Sequence, residues 1–129
     1  MSEKKNRTLL SILAMDVVSY SSKMADDDEG TLNLIEERKV ILEKHIKDNG
    51  GRIFNTAGDA FMIDFSIPVE AVKAAIKIQK EIFQLNEGIS KKKKLEFRVG
   101  INTGEVIVEG DNLFGDRVNV AARLEAMEI

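Results

Sequence analysis

Two aspartates, Asp16 and Asp59, are the residues whose type and setting could support chemistry. Asp16 closes the apolar run in RTLLSILAMDVV, and Asp59 belongs to a Gly-Asp pair between two apolar runs in FNTAGDAFMIDF. A single aspartate in a turn usually caps nearby backbone N–H groups and has no further role. Two carboxylates held together, however, repel each other and offer the oxygen ligands that Mg²⁺ and Mn²⁺ prefer. Any chemistry therefore depends on whether the fold brings these two residues to one place.

Apolar spacing in the first half of the chain predicts the elements that would hold them. The run before Asp16 suits a central strand buried on both faces, and a polar, turn-like segment follows at residues 19–30. Residues 31–49 carry apolar side chains at helical spacing and end in the stop signal Asn-Gly-Gly. Residues 51–65 predict two short strands around a turn at 56–59.

The second half of the chain repeats this alternation. A helix is predicted from Pro68 to about Asn86, on the helical spacing of Val72, Ala75, Ile76, Gln79, Ile82 and Phe83. Residues 95–111 alternate around a turn predicted at 102–104, which indicates a second hairpin. The last stretch, RVNVAARLEAMEI, predicts a helix without a C-cap, so the chain is expected to stop inside an element.

The order of these elements predicts an α+β fold, a ferredoxin-like split βαβ sheet with helices on one face. The long helix makes the first two strands parallel through a right-handed crossover, and the third strand fits between them, antiparallel to both. Asp16, at the end of the first strand, then lies beside the turn that carries Asp59. Two carboxylates at one sheet edge favour a divalent cation, although two unrelated solvated turns would give the same letters.

Composition excludes several other classes of function. The chain has 129 residues, a formal net charge of −3 and no cysteine, which predicts one domain without disulfides or thiolate metal sites. The single histidine, His45, leaves no histidine cluster for zinc and makes Ser-His hydrolases improbable. No stretch is long and apolar enough to span a membrane, so no membrane contact and a cytoplasmic setting are expected.

Two charged runs and the histidine have ordinary interpretations. KKKK at 91–94 could touch nucleic acid, but the acidic net charge and the lack of interleaved aromatic residues favour a solvated loop, and no nucleic-acid partner is expected. DDDE at 26–29 lacks a calcium-loop spacing and is predicted to be the charged start of a helix. His45 is predicted to lie on a helix surface.

Four segments resemble, in order and spacing, the motifs of the class III nucleotidyl cyclases, the adenylate and guanylate cyclase catalytic domain. They are AMDVVSYS, GGRIFNTAGDAFMIDF, RVGINTGEV and LFGDRVNVAARLE, and the resemblance runs from about Leu10 to the last residue. The resemblance implies the fold predicted above and a homodimer with active sites at the subunit interface. It also implies that residues 1–129 form a catalytic domain that lacks its C-terminal strands, for which little or no activity is expected.

The resemblance also implies roles for the first two motifs. Asp16 and Asp59 correspond to the ligands of two divalent cations, Mg²⁺ or Mn²⁺, with the Val17 carbonyl as a further ligand. The triphosphate loop corresponds to the residues that follow, of which Ser19 stands where the family usually has glycine: Val18, Ser19, Tyr20 and Ser21. One metal ion would activate the ribose 3′-hydroxyl and the other would hold the polyphosphate.

Asn119 and Arg123 correspond to the transition-state pair that the opposite subunit supplies. Residues four apart share one helix face, which agrees with a joint role. By this resemblance Asn119 holds the ribose, and Arg123 faces the charge that develops on the α-phosphate. Outside the motif, Arg123 would be interpreted as a surface arginine of an amphipathic helix.

Two positions depart from the family's pattern for choosing the base. Lysine and aspartate there accompany adenine, and glutamate and cysteine accompany guanine; here the residues are Asn55 and Asn112. An amide has both a donor and an acceptor and can face either purine. Because neither guanine-type residue is present, the sequence favours ATP over GTP.

Three functions are weighed on this basis. The favoured one is a nucleotidyl cyclase that converts a purine NTP to 3′,5′-cyclic NMP and pyrophosphate with two metal ions, for cyclic-nucleotide signalling. A diguanylate cyclase is disfavoured because its glycine-glycine-acidic turn is absent from AGDAF. A catalytically inactive regulatory module that binds nucleotide or a partner cyclase remains the non-enzymatic alternative, with the two asparagines as signs of drift.

Overall fold

A five-stranded sheet and three α-helices make up the described part of the chain, residues 6–109 and 112–114 of a computed structural model. In chain order the elements are β1 (Asn6–Val17), α1 (Tyr20–Asp26), α2 (Asp28–Asp48), β2 (Gly51–Ala57), β3 (Ala60–Phe65), α3 (Pro68–Asn86), a 3₁₀ turn (Lys91–Lys93), β4 (Phe97–Glu109) and β5 (Asn112–Phe114). None of these helices is both long and apolar enough to cross a membrane.

The strands lie in the order β2-β3-β1-β4-β5, and every neighbouring pair is antiparallel. β3 therefore separates β1 from β2, which run parallel to each other through the helical crossover. This arrangement confirms the predicted split βαβ fold and the predicted place of the third strand. β1 is the central strand, paired with β3 on one side and along its whole length with β4 on the other.

The alternation of side chains in β1 feeds two apolar clusters. Leu13, Met15 and Val17 point to the helices, where they pack with residues of α2, β3 and α3 such as Leu42, Ile63 and Ile78. Leu10, Ile12 and Ala14 point to the opposite face, which we call the open face, and pack there with Val106 and Leu113. Each fully buried large aliphatic side chain stabilises the fold by about 1.5–3 kcal/mol. A strand with two buried faces explains the nearly continuous apolar run.

The prediction that residues 19–30 form a turn-like segment is wrong, because α1 occupies Tyr20–Asp26. The polar residues there form hydrogen bonds at the junction between α1 and α2. The Asp27 side chain accepts a hydrogen bond from the Gly30 N–H at 3.0 Å, and the Thr31 hydroxyl donates to the Lys23 carbonyl at 3.0 Å. Local hydrogen bonds of this kind cap helices as readily as they close turns. The acidic run at 26–29 does start a helix, as predicted, with Asp28 and Glu29 in the first turn of α2.

The predicted turn at 102–104 is also wrong, because β4 runs through it without a break. Asn102 pairs with Ile12 and Gly104 pairs with Leu10, and between them the hydroxyl oxygens of Thr103 and Ser11 are 2.6 Å apart. Long-range pairing with the central strand outweighs the turn propensity of Asn and Gly. The hairpin falls instead between β4 and β5, after Glu109.

The helix α3 ends at Asn86 as predicted, but its buried face differs from the predicted apolar pattern. Ala71, Ala74, Ala75, Ile78 and Ile82 are buried, whereas Val72, Ile76 and Phe83 are exposed. The inner face of α3 therefore consists of three alanines and two isoleucines, and Val72, Ile76 and Phe83 lie outside the contact with the core.

The prediction of a surface position for His45 is wrong as well. Its side chain is only 13% exposed, and its Nε2 lies 2.8 Å from the Glu81 Oε1 of α3. This contact joins α2 to α3, so a residue that looked solvated in the sequence connects two helices.

Candidate functional site

The hairpin between β2 and β3 presents Asp59 in a two-residue loop. Ala57 pairs with Ala60, so Gly58 and Asp59 make the whole connection. Gly58 has a φ of 62°, which a glycine adopts without strain. A two-residue loop with positive φ at its first position is the type II′ pattern, whose twist matches that of the strands. The predicted hairpin turn is confirmed but is shorter than the predicted 56–59, because Thr56 and Ala57 pair within β2; the second loop residue is the acidic one.

A hydrogen bond joins this loop to the end of β1. The Asp59 Oδ2 accepts the backbone N–H of Val17 at 3.0 Å, across a sequence separation of 42 residues. Val17 directly follows Asp16, so the two aspartates lie at the same end of the sheet. The expected convergence of these two positions is therefore confirmed as geometry.

Asp16 has a partner that the sequence analysis did not identify. The Arg98 Nε donates to Asp16 Oδ1 and the Arg98 Nη2 donates to Asp16 Oδ2, each at 2.9 Å. The two residues are directly opposite in the register of β1 and β4, and their side chains are only 16% and 27% exposed. Such a forked pair is the strongest form of an Arg–carboxylate contact. If β4 had been recognised as the neighbour of β1, the single charged residue in FRVGI, Arg98, would have indicated this partner.

The loop after β1 has a strained backbone at Ser19. Val18 extends the pairing with a hydrogen bond from its N–H to the Glu96 carbonyl at 2.8 Å. Ser19 then adopts φ 58° and ψ 37°, the left-handed region that favours glycine. In the described part of the chain it is the one residue other than glycine with positive φ. This conformation gives a physical reason for the glycine that the resembled family usually has there.

Tyr20 links this loop to the hairpin. It begins α1, packs partly buried against the helix-side core, and has its hydroxyl beside Gly58, where an added Cβ would come within 3.8 Å of it. Ser21, the last residue assigned to the loop, lies exposed in the first turn of the same helix. The predicted triphosphate loop and the Asp59 hairpin are therefore neighbours in the fold.

A β-bulge sets the direction of Asn55. Ile53 pairs with Ile63 but Asn55 pairs with Met62, so Phe54 is the extra residue. Paired residues share a face of the sheet, and Met62 packs on the open face, so Asn55 also points to the open face. The same alternation places Asp16 and its partner on that face. Without the bulge, Asn55 would point to the helices.

Asn55 and Asn112 lie on opposite edge strands, β2 and β5, with three strands between them. Four strand spacings correspond to about 19 Å. The fold therefore does not bring the two expected base-contacting positions together within the described chain. Asn119 and Arg123 lie outside the described residues, and their joint role stays a prediction.

A cleft of about 610 Å³ adjoins the loop on its other side. It lies between the first two helices and the lysine run, and it meets the loop at Val18 and Ser19. The Lys23 Nζ donates to the Lys94 carbonyl at 2.7 Å, which holds the lysine run against α1. Lys91, Lys92 and Lys93 are exposed, as predicted for a solvated segment. Neither Asp16 nor Asp59 lines this cleft.

The oxygen atoms at this end of the sheet suit a hard divalent cation. Asp16, Asp59 and the adjacent backbone carbonyls are all oxygen donors, the type that Mg²⁺ and Mn²⁺ favour. Within residues 6–109 and 112–114, no three or more acidic, histidine or cysteine side chains are grouped so that they could hold a metal ion by themselves. Two carboxylates fit a cation that keeps water or substrate oxygens as its other ligands, which is the habit of Mg²⁺.

The described part has the α+β fold of the class III nucleotidyl cyclases. Residues 2–128 match the model of the adenylate and guanylate cyclase catalytic domain, and the chain belongs to that family.

Individual relatives agree with the family assignment. The chain is 39% identical over 126 residues to the "Putative adenylate cyclase 3" of Rhizobium meliloti (strain 1021), a match that covers 97% of this chain and 22% of that protein. It superimposes on the adenylate/guanylate cyclase/hydrolase from Silicibacter pomeroyi with a TM-score of 0.88 and 36% identity, covering 95% of this chain and 72% of that one. The adenylyl cyclase CyaB from P. aeruginosa gives a TM-score of 0.80 at 26% identity, with 95% and 74% covered.

Proposed function

We propose that the chain is the catalytic part of a class III adenylate cyclase, which converts ATP to 3′,5′-cyclic AMP and pyrophosphate at a homodimer interface. The observation that carries this proposal is the hydrogen bond from the Val17 N–H to Asp59, which sets the hairpin carboxylate beside the strand end that bears Asp16. Family membership supplies the reaction class. In that reaction the ribose 3′-oxygen forms a bond to the α-phosphorus. The bond from the α-phosphorus to the oxygen that bridges to the β-phosphate breaks, pyrophosphate leaves with that electron pair, and the 3′-hydroxyl proton is released to solvent.

Asp16, Asp59 and the Val17 carbonyl are the proposed ligands of two divalent cations. When bound, such ions activate the attacking hydroxyl and stabilise the leaving pyrophosphate as Lewis acids. The residues from Val18 to Ser21 would hold the triphosphate, supported by their position between the strand end and the first turn of α1. A phosphate held there would lie next to both carboxylates, so its charge would be compensated only with cations present.

Asn119 and Arg123 are proposed to come from the partner subunit. Arg123 would stabilise charge on the α-phosphate and Asn119 would orient the ribose. The edge positions of Asn55 and Asn112 support a composite site, because a single chain leaves them about 19 Å apart by strand spacing. We propose ATP as the substrate because neither position has the residue that accompanies guanine in the family.

The assay of the proposal measures cyclic AMP, cyclic GMP and pyrophosphate formed from Mn-ATP and Mn-GTP. It uses the purified chain and a version extended past Ile129, each with an Asp59→Ala control. We expect cyclic AMP to exceed cyclic GMP, and both products to disappear in the control. A cyclic GMP excess would overturn the proposed base preference. Nucleotide binding without any product in either version would favour the regulatory module instead.

A mixing experiment tests the composite site separately. Asp59→Ala and Arg123→Ala subunits should each be inactive alone, and their mixture should regain activity, because one of the two sites in a heterodimer is then intact. The site would be confined to one chain if demonstrated heterodimers stayed inactive.

A further inference from the structure

The forked contact between Arg98 and Asp16 occupies the carboxylate that a cation at this site would use. Both carboxylate oxygens of Asp16 accept hydrogen bonds from the guanidinium, each at 2.9 Å. Neither side chain is more than 27% exposed, so solvent screens the pair only partly. The two residues are opposite each other in a continuous antiparallel ladder, which fixes their backbones.

A divalent cation and this guanidinium compete for the same oxygen atoms. The guanidinium takes one lone pair on each oxygen of Asp16, and a cation bound to the remaining lone pairs would face the positive charge of Arg98 at close range. Asp59 is held differently, because its Oδ2 accepts from a neutral backbone N–H. Binding of a cation would therefore disturb the contact of Asp16 with Arg98 more than the hydrogen bond of Asp59.

We propose that Arg98 is an internal counter-ion, which holds Asp16 in the metal-free chain and which a divalent cation must displace. The inference rests on the proposed function, because it takes Asp16 to be a metal ligand. In the metal-free chain Arg98 orients the carboxylate and compensates its charge beside Asp59. Metal binding is then an exchange of one cation for another, and Arg98 acts as a positioning residue with an effect on metal affinity.

Mn²⁺ binding in the absence of nucleotide tests this inference on the 129-residue chain. Titration calorimetry, or the spin resonance signal of free Mn²⁺, would compare the original chain with Arg98→Gln and Arg98→Lys. We expect Arg98→Gln to bind Mn²⁺ at least about fivefold more tightly, because the charge-assisted competitor is gone. Arg98→Lys keeps the charge but loses the fork, so its affinity should lie between the two.

A matched control separates this effect from a general change in charge. Arg52→Gln removes another cross-strand arginine that contacts an aspartate, Asp64, on the same sheet. It should leave Mn²⁺ affinity within about twofold of the original, because surface charges at a distance are screened. Asp16→Asn should lose the binding. Circular dichroism verifies that each variant is folded, and structural damage alone would weaken binding, which is the opposite of the expected gain.

A second readout uses the unchanged chain and Mg²⁺. The Nε–H resonance of Arg98, assigned by its absence in Arg98→Lys, should shift on saturation with Mg²⁺ as the pair opens. Folded Arg98→Gln that binds Mn²⁺ no better than the original, or an unmoved Arg98 resonance at saturating Mg²⁺, overturns the counter-ion role and leaves the cyclase proposal intact. Failure of all variants to bind Mn²⁺ overturns the metal assignment and the inference with it.

Discussion

Two cross-strand pairs of arginine and aspartate occur on the open face of the same sheet, and they differ in geometry. Two nitrogens of Arg98 donate hydrogen bonds to the two separate oxygens of Asp16, each at 2.9 Å. Arg52 directs both Nε and Nη2 to a single oxygen of Asp64, at 3.1 and 3.0 Å. The Arg52 side chain is 44% exposed, against 27% for Arg98.

Their positions in the sheet explain why one pair belongs to the proposed site and the other does not. Asp16 is the last residue but one of the central strand, beside the loop at Ser19 and the hairpin that carries Asp59. Asp64 is also the last residue but one of its strand, but β3 runs antiparallel to β1, so Asp64 lies opposite Ile12 and its strand end leads towards α3, away from Ser19 and Asp59. Neither residue type nor position within the strand separates the two aspartates; the loops next to Asp16, at Ser19 and Asp59, do.

The largest expected difference between the Asp16 pair and the Asp64 pair is in their effect on catalysis. Asp16→Ala or Asp59→Ala should lower cyclase turnover by about 10²- to 10³-fold or more, because each removes a proposed metal ligand beside the reacting phosphate. Asp64→Asn should retain turnover within about threefold, because the fold places Asp64 opposite Ile12, away from the proposed site. Mn²⁺-dependent product formation by the extended chain measures both. Full activity in either alanine variant would refute the metal assignment.

A smaller difference is expected in stability when the arginines are replaced. Arg98→Gln should lower the free energy of unfolding by about 2–3 kcal/mol, because it leaves a mostly buried carboxylate without its forked partner. Arg52→Gln should cost less, about 1–2 kcal/mol, because Arg52 itself is 44% exposed and both of its contacts go to one oxygen, although Asp64 is mostly buried. Urea denaturation at neutral pH measures both. Equal losses would mean that fork geometry and exposure do not distinguish the two pairs.

The sequence predicted the convergence of Asp16 and Asp59 because that result depends on the order of the elements and the fold it favours. A long helix between two strands makes them run parallel, and a short hairpin loop then lets the third strand lie between them. No side-chain detail enters this argument. The strand end and the hairpin loop meet whatever the exact register is.

The features that the sequence did not predict depend on pairing between distant segments. Asn102 and Gly104 are turn formers, yet their pairing with β1 keeps β4 straight. The face of Asn55 depends on a one-residue bulge, which no local pattern indicates. Arg98 becomes visible only once the register of β1 and β4 is known. The helix α1 was predicted as a turn-like segment for another reason, because the same polar residue types cap helices and form turns.

The strain at Ser19 is confined to the Asp16 end of the sheet, and relieving it should give a modest gain. Ser19→Gly removes about 1–2 kcal/mol of left-handed strain but adds backbone freedom to the unfolded chain, for a net stabilisation of about 0.5–1 kcal/mol. Ser22→Gly, inside α1, should instead lose about 0.5–1 kcal/mol. Thermal unfolding of the two variants checks the opposite signs. A loss of stability in Ser19→Gly would mean that the serine is held there by a favourable contact.

The smallest expected effect concerns the protonation of Asp64. Burial raises the pKa of the Asp64 carboxyl above its ordinary value of 3.8, and the charge and hydrogen bond of Arg52 counteract only part of that rise. At pH values below 3.8 both the folded and the unfolded chain hold this proton, so Asp64 has no effect on stability there. As the pH rises from 3.8 to the higher pKa of the folded state, the unfolded chain loses the proton first, and the folded state becomes relatively less stable.

Asp64→Asn removes this titration and isolates it from the other carboxylates. The stability of the asparagine variant relative to the original chain should therefore increase as the pH rises through that window, and should be constant above it. Arg52→Gln should raise the pKa of Asp64 further, because the opposing charge is lost, and should widen the window. Urea denaturation at a series of acidic pH values, with the Asp64 carboxyl followed by NMR, measures both changes. A relative stability that falls with pH would mean that the attraction of Arg52 outweighs burial, so that the ionised Asp64 carboxyl favours the folded state.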